Sequence, residues 1–75
     1  MTKLQEIRKA KGYTQNELAD RSGVKLRAVQ HYEIGARSID GAALETLVAL
    51  AGALGVKVYD LLEDDRLAQD VKRTT

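Results

Sequence analysis

Two short helix signals separated by a glycine constrain the fold of this chain more than any other feature of its sequence. Thr14, followed three residues later by Glu17, forms the pattern of a capping box that starts a helix, and Gly23 is suited to end that helix. A second helical pattern resumes almost at once. The sequence therefore predicts two short helices, at about 15–22 and 25–33. The glycine-containing turn of three or four residues between them sets such helices at roughly 90–120° to each other.

Apolar residues recur at helical spacing through the rest of the chain. The pattern predicts three further helices, at about 3–11, 41–54 and 58–63. Asp40 is a candidate N-cap for the helix that follows it. Strand signals are weak and proline is absent, so we expect an all-α domain of five helices in residues 1–63. The remaining residues, 64–75, are expected to form either a short helical extension or a disordered tail.

The small size and the composition argue against several classes of function. A chain of 75 residues buries only about 60% of the surface that its unfolded form exposes, which leaves no room for a deep catalytic cleft. The chain has no cysteine, and His31 is its only histidine, so we expect neither a metal site nor an enzyme. No cofactor and no small-molecule ligand are expected either, because no pocket-forming domain follows the helices.

The apolar segments are too short for a membrane protein. The longest run, at 47–56, falls well below the roughly 20 residues that a helix needs to span a bilayer. No charged stub, apolar stretch and small-residue cleavage site open the chain. We therefore expect a cytoplasmic protein that does not contact a membrane.

Charge is distributed unevenly between the two halves of the chain. The net charge is only +1, but residues 1–37 contain eight Lys or Arg against four Asp or Glu, whereas residues 38–75 contain four against seven. Ordinary scatter of surface charge is one explanation. The other is that a polyanion, such as a nucleic acid, meets the basic half.

The second of the two short helices carries polar groups on the side that does not face the core. A step of 100° per residue places Arg27, Gln30 and His31 together there. These side chains can read base edges: Arg27 suits guanine, Gln30 suits adenine, and His31 suits guanine or a phosphate, more favourably when protonated. Leu26 borders both faces, so contact with a thymine methyl group and packing in the core both remain open. A helix projected by such a turn fits a DNA major groove.

Several short motifs, taken together, resemble the helix-turn-helix domain of the phage lambda repressor and Cro type, also called the XRE family. These motifs are LQEIR at 4–8, GYTQNELA at 12–19, GV at 23–24, YEIG at 32–35 and LETLVALAGALGVKVYDLL at 44–62. The resemblance covers about four fifths of the chain. It implies a compact five-helix, lambda-repressor-like DNA-binding fold in which the second and third helices form the helix-turn-helix.

The resemblance also implies roles for individual residues in reading DNA. Gln15 matches the family's phosphate-contacting glutamine, and its neighbour Thr14 is expected to contact phosphate as well, because the start of a helix favours an anion. The base-reading positions of the family fall on Leu26, Arg27 and His31.

Three further residues receive expectations from the resemblance, and Arg37 receives one from its position in the chain. Arg8 and Glu33 match a pair that forms a largely buried ion pair between the first and third helices. Lys25 stands where the family usually has a Ser or Thr N-cap, whose loss costs about 1 kcal/mol. A cation there is expected to serve a nearby phosphate. Arg37, in the loop after the third helix, is expected to contact a phosphate or the minor groove.

The expected function is sequence-specific regulation of transcription, as a repressor that reads a double-stranded DNA operator. A homodimer with its two recognition helices about 34 Å apart would match two half-sites, and its interface is expected around the fifth helix and the tail. The alternative is an antitoxin or another protein-interaction module that uses the same fold and binds a protein partner through the C-terminal region. The sign of regulation and the operator sequence stay open.

Overall fold

The computed structural model describes residues 1–74, and this part of the chain contains six α-helices and no β-strand. The helices are α1 (Lys3–Ala10), α2 (Gln15–Ser22), α3 (Leu26–Ile34), α4 (Leu44–Leu54), α5 (Val58–Leu61) and α6 (Asp65–Thr74), with a short 3-10 helix at Ile39–Gly41 between α3 and α4. The predicted all-α class is confirmed. None of the described helices is long and apolar enough to cross a membrane.

The boundaries of α2 follow the local signals in its sequence. The backbone N–H of Glu17 donates to the hydroxyl oxygen of Thr14 at 3.1 Å, and the N–H of Thr14 donates to the Glu17 carboxylate at 2.9 Å. The helix ends at Gly23, whose φ of 75° lies in the left-handed region that glycine adopts without strain. The predicted range of 15–22 is confirmed. Both ends of α1, α3 and α5 also lie within two residues of their predicted positions.

The prediction for the start of α4 is wrong. Residues 41–43 precede the helix, and its N-cap, Ala43, makes no side-chain capping bond. Asp40 lies in the 3-10 helix, and its carboxylate accepts from the backbone N–H groups of Glu63 at 2.7 Å and Asp64 at 3.0 Å. Asp40 therefore caps the entry to α6, 23 residues further along the chain, because the tertiary fold brings those N–H groups to it.

The segment after α5 forms a sixth helix, α6, in the region where the sequence left both a helical extension and a disordered tail open. Asp64 caps α6 by accepting from the N–H groups of Arg66 and Leu67. The Lys3 ammonium lies 2.9 Å from the Asp65 carboxylate, and this hydrogen bond raises the pKa of Lys3 above its ordinary value of 10.5. α6 packs against α5. Interactions with α1 and the 3-10 helix thus hold the start of α6 in place.

The core is built almost entirely from aliphatic side chains. The residues below 2% exposure come from α1, α2, α3, α4 and the α5 region: Leu4, Leu18, Val29, Leu50, Leu61 and Leu62. α2 packs on both α3 and α4, and α1 packs on α3 and α5. This arrangement supports α3 from one side only and leaves its other side open to solvent.

Candidate nucleic-acid interface

One face of α3 is buried in the core and the opposite face is exposed. Val29, Tyr32 and Glu33 are buried, while Arg27 and Gln30 are exposed and His31 is half-buried. The exposed face therefore carries hydrogen-bonding groups at spacings of three and four residues, which place them one turn apart on the same side of a helix. Such a surface can donate to and accept from the edges of base pairs.

The two apolar residues at the ends of α3 differ in their surroundings. Leu26 is half-buried and packs against the hydrophobic core. Only the remaining part of its side chain is open to a ligand. Ile34 is 73% exposed at the C-terminal end of the helix, and no contact within the core accounts for its apolar character.

The start of α2 presents a second polar surface. Thr14 is exposed and Gln15 is half-buried. The capping box engages the N–H of Glu17 but leaves those of Gln15 and Asn16 at the helix end, where no carbonyl of the same helix can accept from them. These groups and the helix dipole favour an anion here. The backbone N–H of Thr14 also lowers the pKa of the Glu17 carboxyl below its ordinary value of 4.5, with a smaller contribution from the Thr14 hydroxyl.

A buried ion pair joins α1 to α3 behind this surface. The Nε atom of Arg8 lies 2.7 Å from one Glu33 carboxylate oxygen, and its Nη2 atom lies 3.1 Å from the other. The Arg8 and Glu33 side chains are 10% and 0% exposed. Two parallel hydrogen bonds of this kind fix both distance and orientation. Arg8 and Glu33 therefore lie in the interior of the domain and are shielded from any large ligand.

The ion pair extends to the start of α2 through two contacts that the sequence did not predict. The amide nitrogen of Gln15 donates to the Glu33 carboxylate at 2.9 Å. The remaining Nη1 group of Arg8 donates to the carbonyl oxygen of Tyr13 at 2.7 Å. No local pattern signals either contact, since the partners are separated by a turn or by a whole helix. The start of α2 is thereby tied to the C-terminal end of α3.

Two cations, Lys25 and Arg37, lie beyond the two ends of α3 and line one cleft. Lys25 is the exposed N-cap of α3 and makes no side-chain capping bond. Arg37 is exposed, and its guanidinium lies 5.4 Å from the centre of the Tyr32 ring. Both residues line a cleft of about 430 Å³ that Glu45 and Thr46 border from α4. The cleft is open and combines both signs of charge.

Arg21 is a further cation of α2, and no sequence motif marks it as a site residue. Its guanidinium lies 4.4 Å from the centre of the Tyr13 ring, a distance at which the ring face attracts a cation. Tyr13 also provides the carbonyl that accepts from Arg8. Within residues 1–74, no group of three or more His, Cys, Asp or Glu residues is arranged to hold a metal ion.

Comparison with known proteins identifies the family. A model of the helix-turn-helix family matches residues 4–61, a range that begins at the second residue of α1, ends with α5 and excludes α6. Comparison with curated proteins and with solved structures yields no match. Because the matched range covers well over half of the chain, the chain belongs to the helix-turn-helix family of the lambda repressor and Cro type, and it is a DNA-binding regulator of transcription.

Proposed function

We propose that the protein is a repressor that binds its operator as a homodimer and reads the major groove with α3. The observation that carries this proposal is the relation between two polar surfaces. α3 exposes Arg27 and Gln30. Near the C-terminal end of α3, the Glu33 carboxylate accepts a hydrogen bond from Gln15 at the start of α2. A phosphate held at the start of α2 would therefore lie beside the helix that reads the bases.

The proposed contacts divide into those that read bases and those that position the protein. Arg27 donates two hydrogen bonds to guanine, Gln30 addresses adenine, and His31 contacts guanine or a phosphate. The exposed part of Leu26 packs on a thymine methyl group. The phosphate contacts come from Thr14, Gln15, Lys25 and Arg37, and they set the register of α3 without carrying sequence information.

Selection of bound sequences from a random DNA pool, followed by binding measurements over a range of salt, tests this assignment. Arg27→Ala is expected to cost about 1–3 kcal/mol on the selected site and to relax preference at one base pair. Lys25→Ala is expected to weaken binding to all sequences alike and to reduce the salt slope by about one. The matched control is Arg66→Ala, which removes an exposed cation outside the helix-turn-helix. If Arg27→Ala and Lys25→Ala bound every DNA as the parent does, the role of α3 would be refuted.

The homodimer interface is proposed to lie on the C-terminal half. Apolar side chains support this location, because Leu44 and Val48 of α4 are 70% and 53% exposed. Val48 also borders an apolar groove of about 350 Å³ shared with Val56 and Val58. A second copy of the chain is the occupant that a two-fold operator requires.

Sedimentation of two variants locates the interface. Val48→Glu is expected to convert the dimer to a monomer and to weaken operator binding. Leu67→Glu, on α6, is the matched substitution in the tail, where the exposed fraction of the side chain is 36%. Loss of the dimer with Leu67→Glu alone would move the interface from the α4–α5 groove to α6.

The alternative, a module that binds a protein partner through the C-terminal region, is not favoured by the family match. Two acids of that region already have partners within the chain. Glu63 accepts a hydrogen bond from the backbone N–H of Lys3, and Asp65 accepts one from the Lys3 ammonium group. A chain truncated after Glu63 separates the two functions. Operator binding that survives the truncation, with loss of a protein contact, would assign residues 64–75 to a protein partner.

A further inference from the structure

We propose that Glu33 is a positioning residue for DNA binding, which orients the amide of Gln15 toward a phosphate before DNA arrives. The inference rests on the proposed function, in which Gln15 contacts the DNA backbone. It assigns a second role to a carboxylate that otherwise serves as the partner of Arg8.

Three hydrogen bonds hold the Glu33 carboxylate in place. One oxygen accepts from Nε of Arg8, and the other accepts both from Nη2 of Arg8 and from the amide nitrogen of Gln15. The Glu33 side chain has no exposed surface. Arg8 is itself anchored through Nη1 to the carbonyl of Tyr13, the residue before the Thr14 N-cap. The acceptor of Gln15 is therefore fixed relative to the start of α2.

The chemistry of the two groups decides which way the amide faces. An ionised carboxylate only accepts hydrogen bonds, so the nitrogen of the Gln15 amide, and not its oxygen, must face Glu33. That nitrogen carries two hydrogens about 120° apart in the amide plane. One is taken by Glu33, and the other is directed away from it. Gln15 is only half-buried at the helix start, so this second hydrogen remains able to donate to a phosphate that the α2 dipole attracts.

An exposed glutamine without this bond would have to be ordered during binding. Immobilising one flexible side chain on association lowers affinity by about three- to ten-fold. The bond to Glu33 makes this ordering part of folding. The contribution of Gln15 to affinity should therefore depend on Glu33, whereas the contribution of a phosphate contact remote from Glu33 should not.

A double-mutant cycle measures this dependence. Gln15→Ala is made in the parent and in the double variant Arg8→Met/Glu33→Leu, which replaces the ion pair by apolar side chains and leaves no buried charge. Dissociation constants are measured by fluorescence anisotropy on the DNA sequence that the parent selects. Gln15→Ala is expected to weaken the parent about three- to ten-fold more than it weakens the double variant. Lys25→Ala, measured in the same two backgrounds, is expected to cost the same factor in both.

Each outcome of the cycle has a distinct meaning. Equal costs of Gln15→Ala in the two backgrounds would overturn the role of Glu33. A cost of Lys25→Ala that falls in the double variant as much as that of Gln15→Ala would also overturn it, because the ion pair would then act through the fold in general. Failure of any DNA sequence to enrich would refute the proposed function itself, whereas enrichment followed by equal costs refutes only the positioning role.

A measurement on the unmodified protein covers the case in which the double variant does not fold. Relaxation of the side-chain amide nitrogens reports motion on the picosecond to nanosecond scale. The Gln15 amide is expected to be ordered in the absence of DNA, and the exposed amide of Gln30 on α3 to be mobile. Equal mobility of the two amides would overturn the proposal.

Discussion

The buried ion pair between Arg8 and Glu33 makes the stability of the domain unusually sensitive to removal of either partner. Glu33→Leu leaves a guanidinium that is always charged in a site where it is 10% exposed. Breaking a buried pair in this way costs about 3–5 kcal/mol. A domain of this size has roughly 4–11 kcal/mol in total, so the single substitution should remove a large part of the stability and lower Tm by roughly 15–30 °C.

The opposite substitution should also be strongly destabilising. Arg8→Met leaves the buried Glu33 carboxylate without its cation, with only the hydrogen bond from Gln15 to stabilise it. The double variant should recover most of the loss, because it buries neither charge alone.

Urea denaturation followed by circular dichroism at 222 nm measures the free energy of unfolding of the parent, the two single variants and the double variant. The comparison is a thermodynamic cycle, so the coupling between the two sites is obtained without assigning energy to either residue alone. Two outcomes would refute the claim that a buried ion pair stabilises the domain. One is a Glu33→Leu variant whose free energy of unfolding falls by less than about 1 kcal/mol. The other is a double variant no more stable than the less stable of the two single variants.

Three further predictions concern local structure. Gly23→Ala should destabilise the domain by about 1–2 kcal/mol in thermal denaturation. The φ of Gly23 is 75° and the space around it is open, so only backbone strain opposes the added methyl group. Gly52→Ala, in the interior of α4, should instead stabilise the domain by about 0.5–1 kcal/mol. Asp40→Ala should speed hydrogen exchange of the backbone amides throughout α6, since the Asp40 carboxylate caps the entry to that helix. Asp40→Asn keeps one acceptor oxygen and should have a smaller effect. Unchanged exchange rates in both variants would contradict the capping role of Asp40. The pKa of Glu17 is lower in the folded state than its ordinary value of 4.5, so its stabilising effect is complete above pH 4.5 and is lost as the pH falls through the folded value. Glu17→Gln should accordingly show a shallower loss of stability in acid, and identical acid unfolding curves would exclude this role.

Local signals were sufficient to predict α2 and the polar face of α3. Thr14, Glu17 and Gly23 lie within ten residues of one another, and their effects act through the backbone of the same helix. The spacing of Arg27, Gln30 and His31 likewise depends only on the period of an α-helix. Which of these residues contact DNA is still a prediction.

The sixth helix could not be predicted with the same certainty. Its own cap, Asp64, is a local signal, but none of its side chains is fully buried. The contacts that hold its start come from Asp40 and Lys3, which are distant in sequence. A short helix with little buried surface depends on such partners for its stability.

The amino-acid sequence by itself determined that the chain forms short helices with a glycine turn between α2 and α3, because capping, helical period and left-handed glycine are properties of neighbouring residues. Only the tertiary structure decided that Asp40 caps α6 and not α4, and that Gln15 bonds to Glu33. Each of these contacts depends on a donor and an acceptor brought together by packing of the core. Hydrogen bonds require distances near 3 Å, and sequence spacing does not specify such distances between separate helices.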